Sequence, residues 1–107
     1  MYLQHGLVDS SDTWVANEEK YAPAFVLANA GYDVWVGNSR GNRYSSPRIN
    51  SKIKNFWNFT FDEMISYDLP AAFEYISKNT GQKIHYVGHS QGTLIMFGAL
   101  SLHLNSV

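Results

Sequence analysis

The chain has 107 residues, the length of one domain or part of one, and 45% of them are hydrophobic while 16% are charged. This balance is typical of a globular protein rather than a disordered one. A net charge of −1 gives no basis for binding nucleic acid or an anionic membrane surface. The absence of cysteine excludes disulfides and thiolate metal sites without indicating a compartment. No apolar run approaches the ~20 residues that span a membrane, and the N-terminus does not resemble a signal peptide.

Two strands and a helix are predicted in the first third of the chain. Residues 1–4 and residues 32–36 have the apolar, β-forming composition of short strands, and Gly37 ends the second. A helix is predicted over residues 18–30. A start nearer Tyr21 or Ala22 is the alternative, because Pro23 fits only in a first helical turn. A domain rarely begins on a strand that leads straight into a functional turn, so the sequence is expected to start inside a longer domain.

The middle of the chain predicts a polar loop followed by a long helix. The loop covers residues 38–54 and ends in an aromatic cluster, which packing explains, with the lining of an acyl pocket as the alternative. This cluster comprises Phe56, Trp57, Phe59 and Phe61. Thr60 and Glu63 form the pattern of a capping box, and apolar residues then recur at helical spacing, with a bend expected at Pro70.

The last third contains the most informative motif. A predicted strand over residues 83–87 runs into Gly88-His89-Ser90-Gln91-Gly92, which has the form Gly-x-Ser-x-Gly, and an apolar helix is predicted over residues 91–104. This strand–turn–helix setting is typical of a nucleophile elbow. An ordinary glycine-rich strand-to-helix turn is the alternative.

The chemistry of such an elbow explains the residue types. Ser90 has to sit on a strained turn that exposes its Oγ, while Gly88 and Gly92 lack the Cβ atoms that would block the close passage of strand and helix. The backbone N–H of Gln91 would lie at the start of the helix and stabilise a developing oxyanion.

The predicted order of elements is β-α-β-α-β-α, which indicates fold class α/β with a parallel sheet, helices on its faces and right-handed crossovers. Four blocks of sequence, spread over nearly the whole chain, resemble the acid lipase family of the α/β-hydrolase fold, which includes gastric and lysosomal acid lipases. The blocks are residues 3–7 (LQHGL), 30–42 (AGYDVWVGNSRGN), 61–71 (FDEM and YDLPA) and 86–93 (YVGHSQGT).

The resemblance implies that residues 1–107 are part of an α/β-hydrolase core domain. The three strands would be the third to fifth of the family sheet, in the order 4-3-5, with the N-terminal strands, the cap and the C-terminal part missing. His5-Gly6-Leu7 and Ser90 would then lie at the carboxyl ends of neighbouring strands beside a topological switch point, where ligands of open α/β sheets bind.

The resemblance also implies an activity, the hydrolysis of neutral lipid esters such as triacylglycerols or cholesteryl esters at a lipid–water interface. Ser90 would be the nucleophile, and the backbone N–H groups of Leu7 and Gln91 would form the oxyanion hole. Structural roles would fall to the neighbouring residues of both turns: Gly88, His89 and Gly92 in the elbow, and His5 and Gly6 in the oxyanion loop. The family implies a secreted or lysosomal enzyme, and Asn58-Phe59-Thr60 is a glycosylation sequon at Asn58 that suits this route.

A catalytic base is missing from the sequence. In this fold the Asp or Glu and then the His follow the nucleophile, but after Ser90 there is no acidic residue and one histidine, His103. Thirteen positions along one helix correspond to roughly 20 Å, so His103 cannot be the base. His85 is expected in the core, and Arg40 in a buried ion pair or loop anchor. The chain alone is therefore expected to be inactive and marginally stable.

Two other functions fit these residues. A truncated remnant without catalytic activity would act by binding lipid or a protein partner. A thioesterase or an acyltransferase of the same fold also uses Gly-His-Ser-x-Gly, although the block from Asn38 to Asn42 favours a lipase. No residue cluster has metal-ligand spacing, and no metal or organic cofactor is implied.

Overall fold

The computed structural model describes residues 1–47 and 55–102. Within them, three short parallel strands form one sheet, with β1 (Tyr2–Gln4) between β2 (Trp35–Val36) and β3 (Tyr86–Gly88). Tyr2 is in register with Trp35 on one side and with Tyr86 on the other. The order β2-β1-β3 confirms the predicted strand order.

The central strand alternates its side chains between two cores. Leu3, fully buried, packs on one face with Trp14 and Ala24. Tyr2 packs on the opposite face in a larger cluster that includes Phe73 and Ile95. Successive side chains of a strand point to opposite faces, so β1 joins the two layers of helices that the α/β prediction requires.

The layer on the Leu3 face is built from short helices. A 3-10 helix, Ser11–Trp14, begins where the Ser10 side chain accepts a hydrogen bond of 3.2 Å from the Asp12 amide. Helix α1 covers Pro23–Asn29, with Pro23 in its first turn. The predicted position of Pro23 is confirmed, whereas the five residues from position 18 that precede it are not helical.

The layer on the Tyr2 face contains one long helical segment and α4. The segment runs through α2 (Phe61–Glu63), a π-helical turn (Met64–Asp68) and α3 (Leu69–Thr80). The π-helical turn ends two residues before Pro70. The sequence predicts a bend at Pro70 because the proline nitrogen has no N–H to donate to the preceding turn.

Helix α4 covers Gln91–Ser101. His103, which the sequence analysis excluded as a catalytic base because of its distance from Ser90, lies outside the described residues. Ile95 and Ala99 of α4 are buried against the long helical segment. Among the described helices, none has the length and apolar character needed to cross a membrane.

The predicted capping box is present at the start of α2. Thr60 accepts a hydrogen bond from the Asp62 amide through its side chain, at 3.1 Å, while its own N–H donates to a Glu63 carboxylate oxygen at 2.6 Å. The hydrogen bond from the Thr60 backbone N–H to the carboxylate is the main reason that the pKa of Glu63 lies below its usual value.

This pKa shift predicts an acid-sensitive contribution to stability, which Glu63→Gln tests. A lowered pKa in the folded state means that the contribution is complete above the unfolded pKa of about 4.3 and is lost as the pH falls through the lower folded value. We expect urea unfolding to show Glu63→Gln less stable than the parent chain at pH 6, with the difference narrowing below pH 4. A difference that stays constant from pH 6 to pH 3 would contradict the assignment.

Candidate active site

Ser90 occupies a strained turn between β3 and α4. Its φ of 53° and ψ of −117° lie where side-chain-bearing residues are rarely found. Ser90 is exposed and precedes the first residue of α4. The backbone therefore has the strain that the sequence predicts for a nucleophile at this position.

Two glycines allow the strand and the helix to pass closely at this turn. A Cβ atom on Gly92 would lie 2.5 Å from the carbonyl oxygen of Gln4 and 2.8 Å from that of His5. A Cβ atom on Gly88 would lie 2.7 Å from the backbone nitrogen of Thr93. The obstructing atoms are all backbone, so no side chain fits at either position without moving β1 or α4.

Two hydroxyl groups close the turn from within. Tyr86 donates to the carbonyl oxygen of Gly92 at 2.6 Å, and Thr93 Oγ1 donates to that of Gly88 at 2.8 Å. Burial raises the pKa of Tyr86, which keeps its hydroxyl proton available for this bond. Sequence reasoning assigned neither residue to the site, because their types and spacing do not show that they bond across the turn.

His5 lies in the turn after β1 and is buried. Its Nε2 accepts a hydrogen bond of 3.0 Å from the Ser39 amide and lies 3.2 Å from Asn42 Nδ2. A backbone N–H can only donate, so the ring proton is on Nδ1, which donates to the carbonyl oxygen of Gly6 at 2.7 Å. Both ring nitrogens are therefore occupied within this loop, and neither is available to take a proton from Ser90.

The loop after β1 passes directly beside Ser90. A Cβ atom on Gly6 would lie 3.1 Å from Ser90 Cβ and 3.3 Å from His89 Nδ1. Leu7 and Gln91 both line one cavity next to this loop. Within residues 1–47 and 55–102, no hydrogen bond uses the backbone N–H of either Leu7 or Gln91. Unpaired backbone amides beside a nucleophile are what stabilisation of an oxyanion requires.

Buried polar side chains connect this loop to the end of β2. Gln4 accepts from the Tyr2 hydroxyl at 2.8 Å and donates to Ser39 Oγ at 3.0 Å. Asn42 donates to the Asn38 side-chain oxygen at 2.7 Å. The sequence did not predict the bond from Gln4 to Ser39, since these residues lie 35 positions apart. This bond explains the occurrence of a buried polar residue at each of the two positions.

Arg40 connects the residues that follow β2 to the long helical segment. It forms a partly buried ion pair with Asp68, with an Nη2 to Oδ1 distance of 2.6 Å and a second hydrogen bond from Nε at 2.9 Å. The Arg40 amide also donates to Asp68. The interpretation of Arg40 as an ion-pair partner and loop anchor is confirmed.

His89 and His85 are both exposed, and for His85 this differs from the prediction. His89 is exposed next to Gly6. The expectation that His85 lies in the core is wrong, because it is exposed just before β3 and only its backbone carbonyl is engaged, by the Tyr2 amide at 2.7 Å. Across the described residues, no group of three or more His, Cys, Asp or Glu side chains could hold a metal ion.

Comparison with known proteins agrees with this geometry. The family model described as "alpha/beta hydrolase fold" matches residues 1–107. The chain therefore belongs to the alpha/beta hydrolase fold family.

Several lipases are similar to the chain in sequence. It is 56% identical over 104 residues to gastric triacylglycerol lipase of Rattus norvegicus and 53% identical to that of Homo sapiens. It is 51% identical to lipase member K of Homo sapiens. Each alignment covers 94% of this chain but 26% of the relative, so the chain spans about a quarter of the length of these curated relatives.

The close passage at Gly92 predicts the effect of Gly92→Ala. Overpacking against immobile backbone oxygens should lower the free energy of unfolding by about 2 kcal/mol, despite the helix propensity gained from alanine. Gly98→Ala in the same helix is the comparison, because its Cβ would meet side-chain atoms of Ile65, the nearest being Cδ1, and no backbone atom. A free energy of unfolding that Gly92→Ala leaves unchanged would show that β1 and α4 are not in close contact.

Proposed function

We propose that this chain carries the nucleophile and the oxyanion hole of a serine ester hydrolase that acts on neutral lipids. The observation that supports this most directly is the strained backbone of Ser90, which lies next to Gln91 and against Gly6. Among the described residues, no hydrogen bond uses the amides of Leu7 and Gln91. The similarity to gastric triacylglycerol lipases supports the substrate class, triacylglycerols or cholesteryl esters presented at a lipid–water interface.

The reaction is acyl transfer in two steps. Ser90 Oγ attacks the ester carbonyl carbon and passes its proton to a base, and the tetrahedral oxyanion accepts hydrogen bonds from the amides of Leu7 and Gln91. Collapse of this intermediate releases the alcohol and leaves an acyl ester on Ser90, which water then hydrolyses. Each oxyanion donor is worth about 3 kcal/mol of transition-state stabilisation.

Residues around the serine support structural roles in this scheme. Gly88, His89 and Gly92 form the turn that presents Ser90, while the His5 ring keeps the loop of Gly6 and Leu7 in place through its bonds to Ser39 and Gly6. We also propose that residues 1–107 form one part of a hydrolase core domain in a secreted or lysosomal enzyme. The similarity to gastric lipases supports this assignment.

No residue in the described ranges is suited to be the base. Both nitrogens of His5 are occupied, His85 precedes β3 at the opposite end from Ser90, and no carboxylate orients His89 within 1–47 or 55–102. A base and its carboxylate must therefore come from elsewhere in the enzyme. The same observation favours the second candidate, a remnant that binds lipid or a partner, if the 107 residues act alone.

We expect the 107-residue polypeptide to hydrolyse 4-nitrophenyl butyrate no faster than its Ser90→Ala variant, because a serine without a base is a poor nucleophile. In the intact protein that contains this sequence, Ser90→Ala should instead abolish hydrolysis and labelling by an alkyl fluorophosphonate. Hydrolysis by the short polypeptide well above its Ser90→Ala control would show that it contains its own base. Labelling of the intact protein that survives Ser90→Ala would overturn the assignment of the nucleophile.

We further propose that Asn58 carries an N-linked glycan. Asn58 is exposed in the turn that follows Asn55, to whose carbonyl its amide donates at 3.1 Å, and Thr60 completes the sequon. Exposure of the asparagine is what this modification requires.

Expression through a secretory route tests the glycan. We expect a mass shift that a peptide N-glycosidase removes and that Asn58→Gln abolishes, whereas Asn55→Gln, which changes a neighbouring asparagine outside any sequon, should retain it. A product of unmodified mass at Asn58 would contradict the proposal.

A further inference from the structure

The carboxylate of Asp68 lies at the end of the π-helical turn, where it binds both the backbone and the side chain of Arg40. We propose that Asp68 is a positioning residue of the oxyanion hole, acting through Arg40 on the loop that carries the Leu7 amide. The inference rests on the proposed function and adds to it a residue outside the reacting atoms. A connected set of hydrogen bonds leads from this carboxylate to that amide.

Asp68 holds Arg40 by four hydrogen bonds. Its Oδ1 accepts from Nη2 at 2.6 Å and from Nε at 2.9 Å, while its Oδ2 accepts from Nε and from the Arg40 backbone N–H, both at 3.1 Å. The Asp68 side chain is 23% exposed and that of Arg40 is 27% exposed, so water screens this pair less than a surface ion pair. Because one of the bonds goes to the backbone, Asp68 fixes the course of the chain at Arg40 as well as the guanidinium.

Arg40 is at the corner of a tight turn whose two ends both contact His5. The Asn42 amide donates to the Ser39 carbonyl at 3.3 Å, and Gly41 has a φ of +85°, which are features of a type II turn. The first residue of this turn donates its amide to His5 Nε2 at 3.0 Å, and Nδ2 of the last residue lies 3.2 Å from the same nitrogen. A shift of Arg40 would therefore move both groups that hold the His5 ring.

His5 in turn fixes the direction of the Leu7 amide. Its Nδ1 donates to the carbonyl oxygen of Gly6 at 2.7 Å. That oxygen and the Leu7 N–H belong to one planar peptide group, which is trans, so the N–H points away from the carbonyl and from the ring that holds it. The group lies against the nucleophile, since a Cβ atom on Gly6 would lie 3.1 Å from Ser90 Cβ. The bond from His5 therefore sets the position of the first oxyanion donor.

A second group of contacts joins Asp68 to the same turn. The buried Tyr2 hydroxyl donates to Gln4 at 2.8 Å, and Gln4 donates to Ser39 Oγ at 3.0 Å. Burial and, to a smaller degree, the negative charge of Asp68 raise the pKa of Tyr2, which keeps its hydroxyl proton available for this bond. Both groups of contacts meet at Ser39, a buried residue next to Arg40.

Asp68 is separated from the side of the loop that faces the substrate. Among the described residues, those that line the cavity beside the loop include Arg40 but not Asp68. Asp68 lies instead on the π-helical turn, in which the Leu69 amide donates to the carbonyl five residues before it, and such turns are frequent at functional sites. A substitution at Asp68 should therefore change the geometry of the oxyanion hole without changing the contacts that bind the ester.

The first test measures catalysis in the intact protein that contains this sequence. Asp68→Asn keeps the size of the side chain but places an amide against the guanidinium, so we expect kcat for 4-nitrophenyl butyrate to fall about 10- to 100-fold with KM little changed. Asp33→Asn is the matched control and should retain the parent kcat, because Asp33 bonds the Trp35 indole at 2.9 Å, before β2 and at the end of the sheet opposite to Ser90. A rise in KM with kcat unchanged in Asp68→Asn would overturn the proposal.

The second test measures the oxyanion hole itself with a trifluoromethyl ketone. Ser90 Oγ adds to the ketone carbon, the serine proton passes to the base, and the ketone oxygen becomes an oxyanion. We expect the inhibition constant in Asp68→Asn to rise by the factor by which kcat/KM falls, because both depend on the same donors. A ketone affinity that stays at the parent value while kcat falls would contradict a positioning role.

A third variant separates loss of position from loss of stability. Ile76→Val removes one carbon from the core that contains Tyr2, so it should lower the urea midpoint while kcat and the ketone affinity stay at the parent values. A fall in kcat equal to that of Asp68→Asn would show that stability alone explains the effect and would overturn the proposal.

Arg40→Lys decides the question if Asp68→Asn does not fold. It keeps a positive charge and the backbone bond to Asp68 but loses the planar fork, so kcat should fall about fivefold. A parent kcat and a parent ketone affinity in Arg40→Lys would then count against the proposal.

Ser90→Ala distinguishes this inference from the proposed function. If Ser90→Ala is inactive while Asp68→Asn keeps the parent kcat and ketone affinity, only the positioning role fails. If Ser90→Ala still hydrolyses the ester, the proposed function fails and the positioning role fails with it.

Discussion

The close contact between the end of β1 and the start of α4 is the constraint on which the rest of the structure depends. Two backbone carbonyls, those of Gln4 and His5, occupy the space beside Gly92 that a side chain would fill. The contact brings the loop of Gly6 against Ser90. It also forces the chain to reverse sharply between β3 and α4, and Ser90 carries the resulting strain in its backbone.

Strain of this kind persists only if the surrounding structure holds it. On one side, the hydroxyls of Tyr86 and Thr93 bond to the carbonyls of the turn. On the other, His5 connects the neighbouring loop to the residues that follow β2. These bonds are buried or partly buried, where losing one partner is expensive because the other is left unsatisfied. The polar network thus holds the backbone of the two turns in place.

Local patterns predicted several elements correctly because their causes are local. The capping box at Thr60 involves residues three apart, and the position of Pro23 follows from its missing N–H. The prediction for His85 was wrong because a residue at the edge of a three-residue strand is buried only if something packs on it. Within the described residues, β2 pairs with Tyr2 and Leu3 of β1, and β3 pairs with all three residues of β1.

The sequence by itself determined the order of the elements, the parallel sheet, and the glycine–serine pattern of the turn, since each depends on residue type and spacing along a continuous stretch. Only the tertiary structure decided which groups meet. The tautomer of His5 follows from its bond with Ser39, which is distant in sequence. The bond from Tyr86 to Gly92 joins opposite sides of a turn, and Trp57 and Phe59 pack on Gly41 from another part of the chain. Such contacts depend on where several elements come together, because hydrogen bonds and close packing act over a few ångströms in space, whatever the separation along the chain.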